Sequence, residues 1–127
     1  MFWSNWEQSL YLRMVLKTET MEDSLTIDML RDFAKKTMIP GSKVWLYGSR
    51  ARGDNGPNSD WDLLILLDKD KITDDDFDKY AFSFIMYGWH HKADVSPQIY
   101  TYKDWDKSRI TPYYHNVLED KKVIYGT

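Results

Sequence analysis

Tyr47 to Leu67 reads YGSRARGDNGPNSDWDLLILL. A Gly-Ser pair ends one apolar run, Lys43–Tyr47, and Asp60 and Asp62 open the next, Trp61–Leu67. The second run is apolar at every position after Asp62, the pattern of a central strand covered on both faces. Between the runs lie the twelve residues Gly48–Ser59, of which SRAR can form a helical turn. That is short for a crossover between parallel strands, so the two strands are expected to pair antiparallel. The end of the first then lies beside the start of the second, and Gly48 and Ser49 face Asp60 and Asp62 across a small gap.

Each side of that gap has a chemical use. A glycine before a helix start lets backbone amides approach a ligand closely, and a helix N-terminus favours an anion. Ser49 adds a hydroxyl donor, so this side reads as a phosphate seat. Opposite it, Asp60 and Asp62 are two apart on a strand, and both carboxylates point to one face about 6.6 Å apart along the chain. Mg²⁺ takes oxygen ligands and typically binds one or two carboxylates plus substrate phosphates. The two sides together read as a place to hold a metal-bound nucleotide polyphosphate. Asp94, at the mouth of a third predicted strand, is the best candidate for a third carboxylate if that strand neighbours the second. Three clustered aspartates repel one another and raise each other's pKa values, a cost that a bound cation removes.

Working outward, Leu25, Met29, Leu30, Phe33 and Ala34 share one helical face, with Ser24 as the N-cap. Pro40 and Gly41 end that helix. A second helix runs through KITDDDFDKYAFSFIMYGWHH, capped by Thr73, with Asp74, Asp75 and Asp76 in its positive first turn. Val95–Tyr102 reads as the third strand. The last helix has Thr111 as N-cap and Pro112 at its first position, and a short strand at Val123–Tyr125 closes the chain. The order helix, strand, strand, helix, strand, helix predicts a small α/β sandwich. Residues 1–20, with Phe2, Trp3, Trp6, Leu10, Tyr11 and Leu12 in no clean period, read as an N-terminal extension to a domain over residues 21–127.

Composition bounds the function classes. The 127 residues are 43% hydrophobic and 16% aromatic, a globular rather than a disordered profile. Seventeen basic against twenty acidic residues, a net charge of −3, argue against a protein that coats polyanions. The absence of cysteine excludes disulfides, thiolate catalysis and zinc–thiolate sites. No apolar stretch approaches a membrane span and the N-terminus lacks a signal-peptide core, so a soluble, cytoplasmic protein is expected.

The residues Gly48-Ser49 and Asp60-Trp61-Asp62, with ten residues between Ser49 and Asp60, resemble the DNA polymerase beta nucleotidyltransferase superfamily, in particular its minimal nucleotidyltransferases. Asp94 matches the family's third aspartate by order, although KADVSPQIY is a loose match; the likeness covers about residues 22–125. The resemblance implies a mixed sheet with helices packed on one face. It implies transfer of a nucleoside monophosphate from a triphosphate, ATP by family habit, to a hydroxyl, with release of pyrophosphate. Asp60 and Asp62 would bridge two Mg²⁺ ions (or Mn²⁺) roughly 3.5–4 Å apart, with Asp94 ligating one of them or taking the proton. Ser49 and the amides after Gly48 would hold phosphates. Arg50 and Arg52 would neutralise developing charge, unless one of them pairs with a structural carboxylate. Small stand-alone members resemble antitoxins that attach AMP to a helical toxin, and others resemble the catalytic half of antibiotic nucleotidyltransferases, whose second, drug-holding helical domain is absent here; the acceptor is a partner protein, favoured and helical, or a small molecule. The chain is short for a polymerase, so no templated nucleic acid is expected.

Blander readings compete. Asp74–Asp76 is a capped, solvated helix start rather than a metal site. His90 and His91 are adjacent and point different ways, poor geometry for one ion. Trp45, Trp61, Trp89 and Trp105 read as core or core-edge aromatics, Trp61 directed away from the metal side. DNGPNSDWD lacks the glycine and glutamate spacing of a calcium loop, and no GxxxxGK is present. Ser59 and Asp60 could cap a turn and Asp62 pair with Arg50 or Arg52, but that leaves two carboxylates heading an apolar strand unexplained. The alternative function is a catalytically weak or inactive module that binds a nucleotide or masks a partner.

Overall fold

The computed structural model describes residues 4–10 and 24–127. Residues 5–10 form a short helix, α1, whose start is tied by the Glu7 amide donating to the Ser4 hydroxyl, 3.1 Å. Trp6 on it is 54% exposed. The other aromatics expected to pack in this segment, Phe2, Trp3 and Tyr11, and Leu12 with them, lie outside the described residues.

Helix α2, Ile27–Thr37, is capped by Thr26 rather than by Ser24: the Thr26 side chain accepts from the Met29 amide at 3.2 Å. Ser24 is used elsewhere, its amide donating to the His91 carbonyl at 3.0 Å. Strand β1, Lys43–Tyr47, and strand β2, Trp61–Leu67, have the expected bounds and pair antiparallel, in a register that sets Tyr47 opposite Asp62. Between them Ser49–Arg52 forms the single-turn helix α3.

The crossover from β2 begins with α4, Asp74–Asp76, where Thr73 and Asp76 form a reciprocal capping box. It continues without interruption through a π-helical segment, Phe77–Phe82, into α5, Ser83–His90. The helix was expected; the π segment was not, because apolar periodicity does not distinguish a widened turn from a regular one. Strand β3, Val95–Thr101, follows and pairs parallel to β2. It stops one residue short of the expected Tyr102 because the Thr101 hydroxyl accepts from the Asp104 amide, 3.0 Å, and caps a helix absent from the sequence reading, α6, Tyr102–Lys107. Helix α7, Pro112–Asp120, has the expected Thr111 cap, and β4, Lys122–Tyr125, pairs antiparallel to β1. The sheet order is β3-β2-β1-β4.

Alternation along the strands divides the core into two layers. Val44, Leu46, Leu63, Ile65 and Leu67 pack with Leu30 and Ala34 of α2 and with Ala81 and Phe84 of the crossover helix. On the other face Trp45, Leu64 and Leu66 pack against Trp105 of α6 and Val117 of α7. The mixed α/β sheet is therefore as expected, but helices cover both faces. The larger pair forms the expected layer and the short α6 and α7 close the other, because even-numbered β2 side chains are as apolar as odd-numbered ones.

Gly88 sets how closely α5 approaches β3: a Cβ there would lie 2.6 Å from Val95 Cγ2 and 3.1 Å from the Ala93 carbonyl oxygen. Overpacking of this kind typically costs about 1–3 kcal/mol. Gly88→Ala is expected to lose stability in that range in urea unfolding; an unchanged midpoint would show that the α5–β3 contact yields freely.

Candidate functional site

Three strand ends meet at one edge of the sheet. Tyr47 and Gly48 leave β1, Asp60 and Asp62 enter β2, and Ser96 sits opposite Asp62 on β3. The parallel register carried back one residue sets the Asp94 backbone beside Asp60, and the Trp61 amide donates to the Asp94 carbonyl at 2.9 Å. Asp60 and Asp62 belong to the alternation of Leu64 and Leu66, while Trp61, 5% exposed, is buried with Leu63 in the opposite layer as expected.

Gly48 is built into the site by its backbone. It caps α3 at φ 76°, ψ −159°, a conformation open to glycine, and a Cβ there would fall 2.5 Å from Asp62 Oδ2. The Gly-Ser turn and the second aspartate are thus in van der Waals contact. Asp62 is half-buried, and burial raises its carboxyl pKa above the ordinary value; the neighbouring charge of Asp60 raises it further, and Arg52 opposes the rise. The site holds negative charge at a cost, which a cation would relieve. The carboxylates nevertheless do not all converge: among the described residues no three His, Asp or Glu side chains gather closely enough to share one ion. Asp94 is brought alongside by the backbone, but its side chain does not complete a triad. Asp60 instead accepts from the Ser96 hydroxyl at Oδ2, 3.2 Å.

The two arginines have turned away from the gap. Arg52 pairs with Asp54 at 3.1 Å and with Asp120 of α7 at 2.7 Å, the structural ion pair that the sequence left open as an alternative. Arg50 folds back over the ring of Trp61, its guanidinium carbon 4.6 Å from the centroid, and donates to the carbonyls of Ser59 and Pro57. The reading of Asp62 as the partner of either arginine does not hold for Arg52. Ser49 begins α3, half-buried, and its carbonyl accepts from the Gly53 amide at 2.8 Å. His90, exposed, ends α5, and His91 follows it with its ring 4.7 Å from Tyr87.

Sequence reasoning missed Ser96 and the pair Tyr47–Tyr113. The signal for Ser96 was present: two residues after Asp94, it must share that residue's face. Tyr113 on α7 donates to the Tyr47 hydroxyl at 2.9 Å, a contact between residues remote in sequence. Burial raises the pKa of both phenols. They wall the site on the side of Asp62.

A family model described as a nucleotidyltransferase domain matches residues 27–124. The chain belongs to that family. The matched span contains both sides of the gap, β1, β2 and β3, and β4 as far as Ile124. Among curated proteins, this nucleotidyltransferase domain is similar to the protein adenylyltransferase MntA of Aphanizomenon flos-aquae, 42% identical over 57 residues. That match covers 42% of this chain and 38% of the relative, so the chain spans well under two thirds of that protein. Among solved structures it resembles a toxin–antitoxin crystallised with AMP-PNP, with a TM-score of 0.54 at 20% identity over 81% of this chain and 75% of the other. At that identity the likeness is one of fold.

Two outcomes test the geometry. Gly48→Ala is expected to cost about 1–3 kcal/mol, since its backbone is strained for alanine and its methyl would meet Asp62. A wild-type melting temperature would contradict the contact. Because the folded chain holds the Asp62 proton more tightly than the unfolded chain, stability falls as pH rises from the ordinary carboxylate value through the raised one. Asp62→Asn removes that loss and should melt above the wild type at pH 7 in EDTA. The gap should close below about pH 4, where the unfolded carboxyl is protonated as well. A variant that melts no higher at pH 7 would show that Asp62 carries no such cost.

Proposed function

We propose that the protein is a Mg²⁺-dependent nucleotidyltransferase that moves AMP from ATP to a hydroxyl of a partner protein and releases pyrophosphate. The observation that carries the proposal is the carboxylate pair Asp60 and Asp62 set against Gly48 at the head of the two central strands. The donor set fits the cation: hard carboxylate oxygens, an Asp62 carboxyl whose pKa is raised by burial and then by the charge of Asp60, and a glycine where any side chain would crowd Asp62. Asp60 and Asp62 would hold one or two Mg²⁺ ions, with Mn²⁺ as a substitute. When bound, the metal polarises the phosphates and offsets the charge that develops on them.

The rest is the work of this chain's own residues. Ser49 and the turn after Gly48 face the pair and receive the triphosphate. In the transfer, the acceptor oxygen forms a bond to the α-phosphorus, and the bond from that phosphorus to the oxygen shared with the β-phosphate breaks. The acceptor hydroxyl loses its proton; Asp94, beside Asp60, is the group we assign to receive it. Neighbouring strands are about 4.8 Å apart, and the register sets the Asp94 backbone beside Asp60. Ser96 holds Asp60 in place meanwhile.

The choice of AMP and of a protein acceptor is supported by the similarity to a protein adenylyltransferase. A role as the antitoxin of a toxin–antitoxin pair is supported by the shared fold with a toxin–antitoxin structure, and a helical toxin as acceptor by the family resemblance of the Gly-Ser and Asp-x-Asp residues. No helix among the described residues is long and apolar enough to cross a membrane.

Thermal unfolding with each nucleoside triphosphate, with and without Mg²⁺, tests the proposal. ATP at 100 times its dissociation constant should stabilise by about 2.7 kcal/mol, several degrees for a domain of this size. The shift should need Mg²⁺ and vanish in the Asp60→Asn, Asp62→Asn double variant. No shift with any triphosphate would transfer the case to a module that masks its partner without turnover.

A further inference from the structure

We infer that Arg50 is the positioning residue that sets Asp60 for metal binding, an inference that rests on the transferase reading of the site. Arg50 lies on α3, on the Gly-Ser side of the gap, while Asp60 lies on the far side at the end of a loop containing Gly53, Gly56 and Pro57. Such a loop left to itself would not hold a carboxylate to the tolerance that a Mg²⁺ site demands. Arg50 spans it. Nε and Nη2 both donate to the Ser59 carbonyl, at 3.1 and 3.0 Å, and Nη2 also donates to the Pro57 carbonyl at 3.3 Å. The Ser59 carbonyl belongs to the peptide plane whose nitrogen is that of Asp60, so the guanidinium fork fixes the orientation in which Asp60 leaves the loop.

The fork is itself held. Its face stacks on the ring of Trp61, the buried residue between the two aspartates, so the side chain that orients Asp60 rests on the side chain that anchors β2. On the far side the Trp61 amide donates to the Asp94 carbonyl at 2.9 Å, and Asp60 is gripped from both of its peptide planes. Within the loop the Ser59 hydroxyl accepts from the Gly56 amide at 2.9 Å, which keeps the Ser59 carbonyl turned towards Arg50. A lysine could supply the charge but neither the two-pronged donation nor the planar stacking face. A contact to triphosphate, the role that family resemblance implies for Arg50, would use the same fork on phosphate oxygens, so its loss would weaken the analogue even without metal, whereas a positioning role leaves that affinity intact. The two roles therefore predict different variants.

The test uses the full chain with Arg50→Lys and Arg50→Met. Mn²⁺ is titrated in the presence of a non-hydrolysable ATP analogue and read by loss of the free-ion paramagnetic signal. Amide exchange is followed over residues 56–61, and the analogue's own affinity is measured in EDTA. Loss of a group that orients a metal ligand typically weakens the metal by about ten- to a hundredfold. Arg50→Lys and Arg50→Met are both expected to weaken Mn²⁺ by about that factor and to speed exchange at Ser59 and Asp60, with analogue affinity in EDTA unchanged. Arg50→Lys with wild-type Mn²⁺ affinity and exchange would overturn the inference alone, most directly if Arg50→Met also lost affinity for the analogue. A wild-type protein that binds no Mn²⁺ with the analogue would overturn the transferase reading, and the role of Arg50 with it.

Discussion

The antiparallel pairing of β1 with β2, in the register that sets Tyr47 opposite Asp62, is the constraint from which the site follows. A shift of one residue would turn every side chain of β2 to the other face. Asp62 would then enter the layer beneath α2, and Trp61 would occupy the gap. Burial enforces the register from both sides at once. Leu63, Ile65 and Leu67 fill one layer, and Leu64 and Leu66 fill the other against Trp105. The same pairing delivers Gly48 to the Asp62 carboxylate, which makes glycine a requirement of packing as well as of backbone angle.

Around that pair the structure manages charge in stages. Arg52 is held by Asp54 and Asp120 and tethers α7 to α3, so its charge reaches Asp62 only at a distance. Arg50 is turned to backbone carbonyls and an aromatic face. The Asp60 carboxylate accepts from the Ser96 hydroxyl, and burial first, then the charge of Asp60, raises the pKa of Asp62. Two arginines close in sequence to the site thus shape it through structure. An inventory of nearby positive charge would have assigned both to phosphate.

Much of the fold was legible because its signals are local. Thr73 and Thr111 cap their helices as their sequences dictate, and Pro112 begins one. The bounds of β1 and β2 coincide with their apolar runs. What was misread involved competition between neighbours. Ser24 and Thr26 both qualify as caps, and the carbonyl of His91, far along the chain, engages Ser24 and leaves Thr26 to the helix. Thr101 qualifies as both strand and cap, and its hydrogen bond to the Asp104 amide ends β3 and starts α6. The second helical layer was hidden for a related reason. The apolar even-numbered residues of β2 announce that something covers them, but not which segment does.

By itself the sequence determined the gap and the residues that line it: a loop too short for a parallel crossover, two aspartates on one face of a strand, and a glycine and serine opposite. These depend on chain length and on the period of two, which are properties of the backbone. Tertiary structure decided where the flexible and remote groups went. Arg50 and Arg52 are long side chains with several partners within reach, and only the folded loop and the end of α7 select among them. Tyr113 reaches Tyr47 across sixty-six residues, and Asp94 stands beside Asp60 without joining it. Pairing of strands fixes where a Cα lies, whereas the direction of a carboxylate or guanidinium depends on rotamers that the packed surroundings choose.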